Sequence, residues 1–85
     1  MRLQEEIVEF LARGPSPEEI IAFRASTEAV ADIQQLLIKN QETPLTAAEE
    51  AELDQAEWLD NLITQVKARA HLHRRKLSKL QARAS

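Results

Sequence analysis

Cysteine is absent from the 85 residues. That excludes a disulfide framework, a thiolate zinc site and a thiol nucleophile. The single glycine, Gly14, rules out a Gly-rich loop that cradles phosphate. There is no tyrosine, and aromatic residues are only 4% of the chain. Sheets draw on aromatics, β-branched runs and frequent turn residues, so an all-β fold is disfavoured. No apolar run approaches the ~20 residues of a membrane span. The N-terminus turns acidic at Glu5 and Glu6 without the apolar segment of a secretion signal, so a cytoplasmic location is expected. Acids are also missing from the whole stretch after Asp60.

Hydrophobic residues make up 44% of the chain, but 13 of them are alanine. The remainder fills one small helical core, not a roofed active-site cavity with its own supporting shells. Ala, Leu, Glu, Gln, Arg and Lys dominate, which is helix composition. We therefore expect a single helical domain over residues 1–85. Residues 1–66 form an acidic body: they hold all 14 acids against four bases, Arg2, Arg13, Arg24 and Lys39. Residues 67–85 form a basic C-terminal extension with Lys67, Arg69, Arg74, Arg75, Lys76, Lys79 and Arg83 and no acid. Such asymmetry points to partners more than to chemistry.

Local punctuation divides the chain into four helices. Leu3, Ile7, Phe10 and Leu11 share one helical face, predicting a first helix from Leu3 to Arg13. Gly14 suits the left-handed position past its end, and Pro15 forbids continuation. Ser16-Pro17-Glu18-Glu19 is a capping box with proline at the first helical position, opening a short helix to Arg24. Ser26 or Thr27 caps a third helix ending near Asn40, with Val30, Ile33, Leu36 and Leu37 as its apolar stripe and Ile38 off that stripe. Thr46-Ala47-Ala48-Glu49 is a second capping box. It opens a long helix to about Arg83, uninterrupted by Gly or Pro, with acids early and bases late as the helix dipole favours.

The predicted fold is all-α: a short N-terminal helix pair followed by a long antiparallel helical hairpin. A helix of some 37 residues spans ~55 Å, whereas a compact 85-residue domain has a radius of gyration of ~12 Å. Its second half must bend, fray, project or meet another subunit. Ala56, Leu59, Ile63, Val66, Ala70, His73, Leu77, Leu80 and Ala84 keep a 3–4 spacing, widened by Trp58 and Leu62. Such a seam suits pairing with another helix, so Trp58, Leu59, Leu62, Ile63, Val66, Ala70, His73, Leu77 and Leu80 are the expected dimer or partner surface. For Trp58 itself, core packing competes with a role as a partner-facing anchor and is the favoured reading. Ile20 and Phe23 are expected in the core.

The basic extension has two readings. Its cations can contact phosphates or an acidic protein, or they can form a solvated helix end. Arg75–Lys79 and Lys79–Arg83 are like-charge pairs costing ~0.2–0.5 kcal/mol each, so local stability does not favour the run. No aromatic is interleaved for base stacking, so nucleic-acid binding would be weak and non-specific. The acids Glu49, Glu50, Glu52, Asp54, Glu57 and Asp60 can imitate a phosphate track toward a basic partner, or form a solvated face. His71 and His73 point ~200° apart on a helix and cannot share a metal. Carboxylate pairs such as Glu5–Glu9 lack a pocket to separate their pKa values, and Ser16, Ser26 and Thr46 are explained as caps. No catalytic activity, cofactor or metal is expected.

The order of motifs resembles a group of small bacterial proteins. It is carried by Ala12-Arg13-Gly14-Pro15-Ser16-Pro17-Glu18-Glu19-Ile20, then Ala22-Phe23-Arg24-Ala25-Ser26. Leu45-Thr46-Ala47-Ala48-Glu49-Glu50-Ala51-Glu52-Leu53-Asp54 and Val66-Lys67-Ala68-Arg69-Ala70 complete it. Members of this uncharacterised group are often encoded beside an HNH-type nuclease or another toxin-like gene, an arrangement similar to that of antitoxins. The resemblance covers residues 3–70, and residues 71–85 depart from it. It implies a protein partner encoded nearby and transfers no catalytic residue. The expected function is a non-enzymatic, antitoxin-like interaction module, homodimeric, masking a basic partner such as a nuclease. The alternatives are a charge-driven nucleic-acid-binding protein and a purely structural helical dimer.

Overall fold

A computed structural model describes residues 1–84, with the side chains of Ser78 and of residues 81–84 outside that description. It contains four helices: α1 (Arg2–Ala12), α2 (Pro17–Ala22), α3 (Thr27–Glu42) and α4 (Ala47–Ala84). There is no strand among the described residues, so the fold is all-α.

The helix boundaries follow from backbone groups that local side chains satisfy. The N–H of Gly14 closes the end of α1 on the Leu11 carbonyl at 3.1 Å, and Gly14 sits at φ +67°. An L side chain rarely adopts that angle, which is why the only glycine lies there. Ser16 Oγ accepts the Glu19 N–H at 3.2 Å, and Glu19 Oε1 accepts the Ser16 N–H at 3.2 Å. Thr46 and Glu49 make the same reciprocal pair at the start of α4, at 3.2 and 3.0 Å. The cap of α3 is Ser26, not Thr27: its Oγ accepts the Ala29 N–H at 3.1 Å. Two ends differ from expectation. The backbone leaves helix at Phe23, ψ 134°, so α2 stops at Ala22, while α3 continues to Glu42.

The core lies where α1 and α3 meet the first half of α4. Leu3 and Ile7 from α1, Ala29 from α3, and Ala56, Leu59 and Ile63 from α4 form one buried cluster. Val66, Ile33, Leu11 and Phe23 pack around it, half-buried. Two alanines, Ala29 and Ala56, occupy central places, so the helices approach closely. Polar ties fix the arrangement. Arg2 reaches Asp32 at 3.5 Å, Lys39 Nζ donates to Glu49 at 2.6 Å, and Gln55 of α4 donates to Gln4 of α1.

The two short helices were expected as a pair. Instead, α2 and α1 each lie against α4, and α2 makes the most extensive backbone contact with it. Phe23 explains the turn: its ring packs against Phe10, centroids 4.5 Å apart, and its carbonyl accepts from Lys67 Nζ at 2.7 Å. Phe23 and Ile20 are half-buried, at the edge of the core.

α4 runs on as a continuous helix past all three partners. The radius of gyration is 16.9 Å and the long dimension is 61 Å against 21 and 18 Å. Those dimensions describe a small four-helix body whose last helix projects from it, far from the ~12 Å of a compact chain of this length.

Candidate functional site

The seam on α4 divides in two. Leu59, Ile63 and Ala70 are buried by the chain itself, and Val66 packs on the same core. These four serve the monomer's own fold; Leu59, Ile63 and Ala70 are closed to a partner, while Val66 is only half-buried. Leu62 is half-buried. His73, Leu77 and Leu80 continue the same helical face beyond the body and are exposed, Leu77 by 50% and Leu80 by 61%. The change occurs between Ala70 and His73, where the body ends.

Trp58 is 62% exposed, which overturns its expected place in the core. It stands ~100° round α4 from Leu59, turned away from the face that α1 and α3 cover. Asp54 lies one turn before it and Leu62 one turn after. An indole left in water beside a carboxylate is an amphipathic feature of the kind that interfaces use.

The basic residues also separate. Lys67 is half-buried and committed to the Phe23 carbonyl, so it serves the fold and is withdrawn from the phosphate-contacting set. Arg69, Arg74, Arg75, Lys76 and Lys79 are exposed, and among the described residues none forms an ion pair. Arg83 lies outside the described side chains. His71 and His73 are both exposed.

Several acids are already engaged. Glu6 accepts the Ser26 N–H at 2.8 Å and the Ser26 hydroxyl as well. These two bonds, the hydroxyl's first, hold its carboxyl below the usual carboxylate range. Glu49 is lowered in the same direction, chiefly by Lys39 and then by the Thr46 N–H. Glu50, Glu52, Asp54, Glu57 and Asp60 remain exposed along the first half of α4. An acidic shaft thus passes into a basic one along a single helix. Comparison with family models, curated proteins and solved structures returns no match.

A groove that the apolar periodicity of α3 does not predict opens between α3 and α4. It encloses about 310 Å³, floored by Val30, Ile33, Leu37 and Leu53 and rimmed by Glu57 and Asp60. Val30 and Leu37 belong to the apolar stripe predicted for α3, yet both are more than two-fifths exposed. The inward line of α3 is Ala29, Ile33 and Leu36, at i, i+4 and i+7, which turns Val30 and Leu37 to the edge. The alanine at position 29 was the available signal: a small residue on an apolar face marks close helix approach and draws the helix axis round toward it.

Proposed function

We propose that this protein is a non-enzymatic, antitoxin-like interaction module of the cytoplasm that binds and masks a basic partner such as a nuclease. It acts as a homodimer assembled through its long helix. The observation that carries this reading is the exposed Trp58 within the acidic run of α4, flanked by Asp54 and Glu57. Carboxylates steer a cationic surface into contact, and a desolvated indole supplies the anchor. The resemblance over residues 3–70 supports looking for that partner in a neighbouring gene.

Co-purification with the product of the adjacent gene tests the proposal. A complex with a Kd of about 1 µM or tighter is expected, weakened at least tenfold by Trp58→Ala. No complex at ~10 µM of each protein contradicts it. The second reading, charge-driven nucleic-acid binding, is favoured by the five exposed cations of residues 69–79, none of which forms an ion pair among the described residues. It predicts retention on DNA that falls steeply with salt and vanishes when residues 67–85 are removed.

A further inference from the structure

We propose that two copies pair antiparallel through the outer face of α4, about a two-fold axis at Gln65. This rests on the homodimer reading above and names the surface that makes it. Leu59, Ile63 and Ala70 are spent on the chain's own core, so a second copy must use another line of the helix. One line has the symmetry that self-pairing needs. Asp54, Trp58 and Asn61 precede Gln65 by 11, 7 and 4 positions, and Arg69, Leu72 and Lys76 follow it by 4, 7 and 11. At ~100° per residue the seven fall within ~80° of one another, and their line runs ~140° round the helix from the buried one. All seven are exposed, Trp58 by 62% and Leu72 by 47%. The other three helices pack on the far side of α4 and leave this line open over its ~33 Å.

The symmetry brings complementary groups together. Asp54 meets the second copy's Lys76, and Asn61 meets its Arg69. The two large apolar side chains of the line, Trp58 and Leu72, meet each other. Gln65 meets its own copy on the axis, where one amide donates and the other accepts. Charge sets the direction. The acids from Glu49 to Asp60 oppose residues 70–81 of the second copy, a stretch with bases and no acid. A parallel pair would set acids on acids and bases on bases, and like charges facing across an interface are unfavourable. The contact is isologous and closes at two subunits. It covers Trp58 with a cationic helix, the chemistry that a basic partner also offers, so such a partner gains Trp58 by displacing that helix.

Charge exchange between full-length variants tests the proposal, read by sedimentation equilibrium at low salt. Asp54→Lys and Lys76→Asp both fall on exposed sites, and circular dichroism with thermal melting confirms folding. The unaltered chain is expected to dimerise with a Kd below ~100 µM. Each single variant sets like charges opposite each other twice per dimer and is expected to raise that Kd about tenfold or more. An equimolar mixture of the two variants, or both changes in one chain, restores association, because each cation then faces a carboxylate again. The chain has no cysteine, so Gln65→Cys adds one thiol that mild oxidation is expected to link across the axis, whereas Leu77→Cys stays unlinked. If the single variants dimerise like the unaltered chain, if neither combination recovers, or if Gln65→Cys does not link, this face is not the interface and the proposal fails, while the homodimer reading stands. If the unaltered chain is monomeric at ~100 µM, the homodimer reading falls with it.

Discussion

Residues 47–70 and 71–84 of α4 are continuous helix, free of Gly and Pro, yet they are helical for different reasons. The first segment buries Ala56, Leu59, Ile63 and Ala70 against three other helices. Tertiary packing supplies most of the stability of such a helix. The second segment exposes Leu72, Leu77 and Leu80 and rests on propensity and on cations near the helix C-terminus. One helix therefore joins a structural element to a presented one. Where the cover ends, the same face changes from buried core to exposed surface.

The largest effect that can break this contrast is a cavity. Ile7 is 2% exposed and touches the central cluster, so Ile7→Ala is expected to cost about 2–4 kcal/mol in urea unfolding. Leu77→Ala is expected to cost less than about 0.5 kcal/mol in the monomer. Equal losses at the two sites would mean that the projection folds back on the body.

Ser26 and Gly14 come next. Ser26 caps α3 and ties it to Glu6 of α1, so Ser26→Ala is expected to cost about 1 kcal/mol or somewhat more. Gly14 holds φ +67° with open space around a Cβ, so Gly14→Ala pays only for backbone strain, about 1 kcal/mol. Thermal unfolding reads both. A neutral Gly14→Ala would show that the turn between α1 and α2 is not held at this conformation.

The smallest effect is a pH dependence confined to the body. Glu6 has a folded-state pKa below its ordinary 4.5, so its contribution is present above that value. It is lost as pH falls through the lower, folded-state value. Stability of Glu6→Gln should accordingly fall less steeply than that of the unaltered chain as the solution is acidified from pH 5 to about pH 3. Parallel curves for the two proteins would deny Glu6 its bond to Ser26.

Much of this contrast was legible from residue order. The two capping boxes, the Gly14 stop and the length of α4 are local properties, set by backbone groups within a few residues of each other. The charge break after Asp60 is equally plain. What could not be read is rotational and long-range. Whether Val30 and Leu37 or Ala29 faces the core depends on how closely α3 approaches Ala56. The burial of Ala70, and the exposure of Trp58 one residue from buried Leu59, depend on where α1, α2 and α3 come to rest. Lys67 looked like its basic neighbours until Phe23 arrived beside it from 44 residues away.

Hydrogen exchange along α4 tests most directly the division between a covered and an uncovered half. At low micromolar concentration, amides of residues 56–66 should exchange only through global unfolding. Those of residues 71–80 should exchange at least a hundredfold faster and become protected when concentration is raised or a partner is added. Uniform protection from residue 56 to residue 80, in a chain shown by sedimentation to be monomeric, would contradict the claim that the end of α4 awaits a partner.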